Sequence, residues 1–191
     1  MCCNGTHFCG KIGSDLIPDG LQGKYAAKKL PGFRQSGGQI RENFLYRDHR
    51  IVLLNMTSFY TSEEYKQKVA AGMRAMLNSD GPVYIHCMEG KDRTGFVCFL
   101  LEALAGASYD EMCSDYMKTY ENYYGVTGNE TPEKYRAIVD VYFDPFAVCL
   151  HRTENIEELK TADYVQDAEN YLIAGGMTQP EIEQLKALIT K

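Results

Sequence analysis

Apolar residues recur at helical spacing through the second half of the chain and at fewer places in the first half. After Ser62, a residue type that favours a helix start, they predict a helix with one buried face. From Phe96 to Gly106 the pattern is apolar on nearly every side, which predicts a helix buried at the centre of the domain. The buried face of the first helix consists of Tyr65, Val69, Met73, Met76 and Leu77.

Capping signals predict the remaining helices. Ser108 and Glu111 have the spacing of a capping box, and they open a helix that Gly125 closes. Thr131, which a proline follows, opens a further helix. Two last helices are predicted near Thr161 and near Thr178.

The β-prone runs lie before residue 87. Two of them, 43–47 and 50–56, flank Asp48-His49, which predicts a β-hairpin. A third, 82–85, is a short apolar run and predicts a central strand. Residues 1–42 show no sustained period apart from a short helical stretch at 22–30, so further strands would have to come from that segment. We therefore predict an α/β fold: a central, mostly parallel sheet flanked by helices, with a helix-rich C-terminal half.

Composition is that of one soluble domain. The chain has 191 residues, 45% of them hydrophobic, so we expect one domain over 1–191 with a poorly patterned segment at 1–42. The net charge of −6 argues against nucleic acid as a partner. No apolar run has membrane-spanning length, so we expect no integral membrane segment and a cytoplasmic location. The seven cysteines lack metal-ligand spacing and predict no metal site.

One ten-residue segment combines a nucleophile with groups that bind an anion. It reads HCMEGKDRTG from His86 to Gly95, and we call it the 86–95 loop. A helix N-terminus and the Arg93 guanidinium would lower the pKa of Cys87 and favour its thiolate. Backbone N–H groups and Arg93 would hold the phosphoryl oxygens while Cys87 forms a phosphocysteine, which water then hydrolyses.

Roles are predicted for the other side chains of this loop. The Thr94 hydroxyl is placed to hydrogen-bond the sulfur, and His86 to orient the loop backbone. Lys91 has two interpretations, a solvated lysine or extra positive charge at the pocket mouth that favours multiply phosphorylated substrates. Glu89 is expected to point away from the pocket and to pair with a cation such as Arg93. The predicted phosphate-binding residues are Met88, Glu89, Gly90, Lys91, Asp92 and Arg93.

The segment resembles the signature loop of cysteine-dependent protein tyrosine phosphatases, above all the bacterial and fungal group whose loop carries Gly-Lys-Asp-Arg. The similarity runs from about Asn43 to the C-terminal helices. It implies that Cys87 is the nucleophile, that Arg93 clamps the phosphate and that no metal or cofactor is needed. The Asn-Phe-Arg-Asp-Leu-Gly-Gly pattern usual in this group is missing, so 1–42 is interpreted as a divergent or shortened segment.

The general acid, which would protonate the leaving oxygen, has two candidates. The resemblance points to Asp92 within the loop. Its alternative role is structural, pairing with Arg93 or another neighbouring cation. Asp48 is the second candidate, although a hairpin-turn position already accounts for an aspartate there.

Phosphomonoester hydrolysis is the predicted function, with a phosphotyrosine protein or a phosphoinositide as substrate and dual specificity as an extension. One alternative is a pseudophosphatase that captures phosphorylated partners without turnover, and another is an arsenate-reducing or sulfur-transferring enzyme. The pattern predicts no oligomeric state. Tyrosines at helical spacing are predicted to pack in the core or half-buried rather than to form a substrate surface: Tyr116, Tyr120 and Tyr124.

Overall fold

A β-hairpin is the first element of the computed structural model, which describes residues 46–48 and 51–190. Strands β1 (Tyr46–Asp48) and β2 (Ile51–Leu53) pair antiparallel, with Tyr46 opposite Leu53 and Asp48 opposite Ile51. The predicted hairpin is therefore present, but its connection is 49–50, one residue later than the pattern indicates. The expectations for 1–42, including the helical stretch at 22–30, lie outside the described residues.

Helices form most of the described chain. A π-helical turn, Val139–Phe143, follows the helix Pro132–Ile138 and precedes the helix Asp144–His151. The sequence pattern predicts neither Asp144–His151 nor the next helix, Ile156–Thr161. The apolar pattern of the helix that begins after Thr131 runs on without a glycine, so its division into three segments is not visible locally. The α-helices are α1 Glu63–Leu77, α2 Arg93–Leu104, α3 Tyr109–Tyr124, α4 Pro132–Ile138, α5 Asp144–His151, α6 Ile156–Thr161, α7 Tyr164–Ala174 and α8 Gln179–Ile189.

Capping residues begin or end several of these helices where the sequence predicts them. The Ser62 hydroxyl accepts a hydrogen bond from the Tyr65 N–H at 3.2 Å and so begins α1. Ser108 and Glu111 form a reciprocal capping box at α3, which ends at left-handed Gly125. Thr178 caps α8 in the same way. Helix α7 differs, because it begins at Tyr164 and not near Thr161.

The predicted central parallel sheet is wrong. The described chain is mostly helical, and its one sheet is the two-stranded antiparallel hairpin. Residues 82–87, which include the run predicted as the central strand, have no regular secondary structure. A strand needs a neighbour to satisfy its backbone groups, and no described segment pairs with this run. Exposure nevertheless alternates from residue 82 to 87, as in an extended chain.

Helix α2 lies at the centre of the core and confirms the prediction of a buried helix after the 86–95 loop. Ten of its 12 residues are buried. Phe96 is fully buried and packs against Tyr60 at 4.7 Å, Tyr171 at 5.3 Å and Phe146 at 5.4 Å between ring centroids. Helices α3 and α7 lie against α2, and α1 packs on α7 and α8. The N-terminus of α2 is thereby held in place, and with it the end of the loop.

Candidate active site

The 86–95 loop makes a tight turn that ends at the first residue of α2. Gly90 is buried and has φ of +81°, a conformation that side chains strongly disfavour. Asp92 directly precedes the helix, and its carbonyl accepts the Phe96 N–H at 2.8 Å. The loop therefore delivers its last residues into the N-terminal turn of a buried helix, where backbone N–H groups are unpaired.

The Cys87 sulfur lies within reach of these N–H groups. The Gly90 N–H donates a hydrogen bond to Cys87 Sγ at 3.2 Å. Burial by itself raises the pKa of this half-buried thiol. The Thr94 hydroxyl and the backbone N–H groups of Thr94, Gly90 and Glu89 outweigh burial, and the pKa of Cys87 is lowered overall. Its thiolate, the nucleophilic form, is therefore favoured.

Cys113 and Cys149 show the opposite behaviour. Both are thiols, and burial raises the pKa of each to about 11. Cys98 lies buried within α2. The lowered pKa of Cys87 thus contrasts with the raised pKa of Cys113 and Cys149.

Thr94, in the first turn of α2, is the side chain that lowers the pKa of the Cys87 thiol. Its side chain is buried, at 2% relative exposure, and within residues 46–48 and 51–190 its hydroxyl has no partner at hydrogen-bond distance and angle. The hydroxyl is therefore available to donate to Cys87 Sγ. A donor to the thiolate also stabilises this sulfur as a leaving group when a phosphocysteine breaks down.

Replacement of Thr94 tests this contact. Thr94→Val retains the shape and removes the donor, so the pKa of Cys87 rises. Less thiolate is then present at low pH, and the acidic limb of kcat/KM moves to higher pH. The rate of Cys87 alkylation by iodoacetamide, followed against pH, should move in the same direction. Thr119→Val is the matched control, since Thr119 is equally buried and lacks a partner for its hydroxyl in the described chain; an equal shift in both variants contradicts the assignment.

Arg93, the first residue of α2, presents its guanidinium to the same region. Its Nη1 donates to the carbonyl oxygen of Met56 at 3.3 Å, a contact that fixes the side chain against the segment after β2. No carboxylate from the described ranges lies within 4.0 Å of the guanidinium. Its remaining N–H donors can therefore bind two oxygens of an anion.

Lys91 is held by carboxylates of its own loop. Its Nζ lies 3.2 Å from Glu89 Oε2, 4.0 Å from Asp92 Oδ2 and 5.4 Å from the ring centroid of Tyr142. Burial lowers the pKa of Lys91, but Glu89 and Asp92 outweigh it and raise the pKa overall. Glu89 thus pairs with Lys91 and not with Arg93. At 21% exposure, the Lys91 side chain is also not a freely solvated one.

The Asp92 carboxylate remains partly exposed at the surface of the loop. It makes no side-chain hydrogen bond to the N-terminus of α2, and its ion-pair contact with Lys91 is long, at 4.0 Å. The structural alternative of a close pair with Arg93 is not observed. Asp48, the second candidate acid, lies in β1 rather than in the hairpin connection.

His86 and Met88 are more exposed than Lys91 and Arg93. His86 is exposed, and its Nδ1 lies 3.3 Å from the carbonyl oxygen of Cys87, so it contacts loop backbone. The Met88 side chain is also exposed. Any part that Met88 has in phosphate binding would therefore come from its backbone N–H.

Sequence reasoning misses Tyr60, which packs on the first turns of α2, next to the end of this loop. Its ring stacks on Phe96, and its carbonyl accepts the Tyr171 hydroxyl at 2.6 Å, across 111 positions of sequence. Burial chiefly, and then the Asp92 carboxylate, raise the pKa of Tyr60 to about 12, so its phenol stays protonated. Cys87 and Arg93 also act electrostatically on this phenol. No local pattern marks the residue, because its partners are distant in sequence.

Tyr60 also borders a cleft of about 1100 Å³ between residues 58–61, α5 and α7. No residue of the 86–95 loop lines this cleft. The described residues contain no group of three or more His, Cys, Asp or Glu placed to hold a metal. None of the described helices is long and apolar enough to cross a membrane.

Cys87, whose pKa is lowered, lies beside backbone donors, and Arg93 follows it as the first residue of α2. Residues 41–191 match the tyrosine phosphatase family, and the chain belongs to that family. This confirms the resemblance seen in the loop.

A curated relative supports the same class. A stretch of 71 residues is 31% identical to the triple specificity protein phosphatase PtpB of Mycobacterium tuberculosis. The match covers 33% of this chain and 26% of that protein, so the chain spans about a quarter of the relative's length. No solved structure gives a significant match.

Proposed function

We propose that this phosphatase hydrolyses phosphotyrosine esters through a phosphocysteine formed on Cys87. The observation that carries the proposal is the state of the sulfur. Cys87 Sγ accepts the Gly90 N–H, its pKa is lowered, and the guanidinium of Arg93 lies in the next helical turn without a carboxylate partner in the described chain. These observations support Cys87 as the nucleophile and Arg93 as the group that binds the dianion.

The reaction has two displacements at phosphorus. The Cys87 thiolate attacks, a P–S bond forms, and the ester oxygen leaves with a proton from the general acid. Water then attacks phosphorus, the P–S bond breaks, and inorganic phosphate and the thiolate are released. Arg93 and the loop N–H groups would stabilise the charge on the phosphoryl oxygens in both steps. His86 would keep the loop backbone in position.

Asp92 is the proposed general acid. Its carboxylate is in the loop, is not used as a helix cap and has only a long contact with Lys91, so it is free to exchange a proton with a substrate. The Tyr60 phenol lies in its field but remains protonated at working pH. The Tyr60 phenol is therefore not proposed as the general acid.

The variant Asp92→Asn separates catalysis from structure. If Asp92 protonates the leaving oxygen, kcat falls roughly 10²- to 10⁴-fold with phosphotyrosine. The loss is much smaller with an aryl phosphate whose leaving group needs no proton. Steady-state kinetics on both substrates gives the comparison, and Asp110→Asn on the exposed side of α3 is the control. Equal losses on the two substrates would assign Asp92 a structural role.

Substrate class is proposed from the family and from the charge of the loop. The family supports a phosphoprotein or a phosphorylated lipid as substrate. The triple specificity in the name of PtpB is a property of that protein. In this chain Lys91 pairs with Glu89 at 3.2 Å, so its charge is not free for a second phosphate. We therefore propose phosphotyrosine as the preferred substrate, with dual specificity or phosphoinositide activity as the second candidate.

Hydrolysis of an aryl phosphate and of a phosphotyrosyl peptide by the purified chain tests the function, with vanadate as the competing anion. Turnover that vanadate inhibits is the expected result. Phosphopeptide binding without turnover would instead support the pseudophosphatase alternative. The cytoplasmic location and a single domain over 1–191 stay predictions.

A further inference from the structure

Four tyrosines form a row of adjacent rings beside the 86–95 loop. Neighbouring ring centroids are 6.0 Å apart for Tyr142 and Tyr120, 5.7 Å for Tyr120 and Tyr124, and 6.3 Å for Tyr124 and Tyr123. Tyr84, whose ring lies 5.9 Å from that of His86, is grouped with these four because it borders the same loop. We call these five residues the tyrosine row.

Both ends of the tyrosine row touch the loop that carries Cys87. At one end the Lys91 Nζ lies 5.4 Å from the ring centroid of Tyr142. At the other end the Tyr84 ring lies 5.9 Å from the ring of His86, the residue before the nucleophile. A group bound at Cys87 would therefore have this surface directly beside it.

Most of the row faces solvent. Tyr84, Tyr123, Tyr124 and Tyr142 are between 41% and 55% exposed, whereas Tyr120 is buried beneath them. Of the three tyrosines predicted to be in the core or half-buried, Tyr116 and Tyr120 are buried and Tyr124 is about half exposed. Adjacent half-exposed aromatic side chains are typical of interaction surfaces.

The chemistry of the row fits a polypeptide better than a lipid surface. Tyrosine offers ring area and a hydroxyl with little loss of side-chain freedom, which suits binding to peptide groups and side chains. An anionic lipid surface would require unpaired cations nearby. The lysines beside the row are paired instead, Lys91 with Glu89 at 3.2 Å and Lys118 with Glu121 at 2.6 Å.

We propose that the tyrosine row binds the polypeptide flanking a phosphotyrosine, so that protein substrates are favoured over small aryl phosphates. This inference rests on the proposed function, because it assumes that the phosphoryl group is bound at Cys87. The row then acts through substrate affinity and not through the chemical step.

The test compares Tyr123→Ala/Tyr124→Ala with Ile173→Ala, an exposed apolar residue on α7 outside the row. In the tyrosine variant, kcat/KM for a phosphotyrosyl peptide divided by kcat/KM for an aryl phosphate should fall about tenfold, through KM. In a Cys87→Ser background, the Kd of the fluorescent peptide should rise by a similar factor. Ile173→Ala should change neither quantity.

Several results would overturn the proposal. The first is an unchanged ratio together with an unchanged peptide Kd. The second is weaker binding to phosphoinositide vesicles with peptide binding intact, which would make the row a lipid surface. The third is a loss of self-association in sedimentation without a change in peptide affinity, which would make it an interface between copies of the chain. If the unmodified chain hydrolyses neither substrate, the proposed function fails, and the peptide Kd in the Cys87→Ser background still decides the role of the row.

Discussion

Cys87→Ser is expected to reduce turnover roughly 10⁵-fold while phosphate binding is retained. A serine hydroxyl ionises far less readily than a thiol, so the donors around Sγ no longer produce a nucleophile at neutral pH. The loop N–H groups and Arg93 stay in place and still bind an anion. Hydrolysis of an aryl phosphate and equilibrium binding of a phosphotyrosyl peptide measure the two properties separately.

Cys149→Ser is the matched control for this prediction. Cys149 is also a free, half-buried cysteine, but burial raises its pKa to about 11, so it is protonated at neutral pH. Its replacement should leave turnover intact, and iodoacetamide should label Cys87 well before Cys149. Substantial turnover in Cys87→Ser would contradict the phosphocysteine mechanism.

Arg93→Lys is expected to lower kcat/KM by roughly 10²- to 10³-fold, although it retains the positive charge. The guanidinium can donate to Met56 and still bind two phosphoryl oxygens, because its N–H groups point in several fixed directions. An ammonium is a point charge and cannot satisfy both. Kinetics on an aryl phosphate measures the loss, and weaker inhibition by vanadate should accompany it.

Arg74→Lys provides the comparison for an arginine with a structural role. Arg74 on α1 donates from Nε and Nη2 to Glu181 on α8 at 2.6 and 3.1 Å, and from Nη2 to the Gly176 carbonyl. Its replacement should lower the Tm and leave kcat/KM unchanged. If Arg93→Lys lowered only the Tm in the same way, Arg93 would be a structural residue and not a phosphate clamp.

Local signals account for the parts of the fold that the sequence predicts well. The starts of α1, α3 and α8 depend on a capping side chain and on residues up to three positions away, so a short window contains the whole cause. The buried character of α2 is equally visible, because nearly every residue from Phe96 onwards is apolar. The hairpin differs only in where its connection lies.

The prediction fails where a residue's structure depends on distant partners. The run 82–85 has the composition of a strand, but strand formation requires a neighbouring strand, and composition cannot supply one. Tyr60 contacts residues on α2, α5 and α7, which no sequence spacing indicates. Tyr124 shares the helical spacing of the buried Tyr116 and Tyr120, yet it is about half exposed in the last turn of α3, and spacing alone does not separate the two cases.

The sequence alone predicted the reaction class, because a cysteine, an arginine six positions later and a glycine-containing turn before a helix are the groups needed to bind and attack a phosphate. Only the tertiary structure decided which charges are free within the loop. Glu89 and Lys91 pair with each other, while Arg93 is held by a carbonyl from the segment after β2. The tyrosine row likewise exists only in the folded chain, where α3, the π-helical turn and the run before Cys87 come together. Chemistry local to ten residues can be predicted from them, whereas charge pairing and surface exposure depend on contacts between segments that only folding creates.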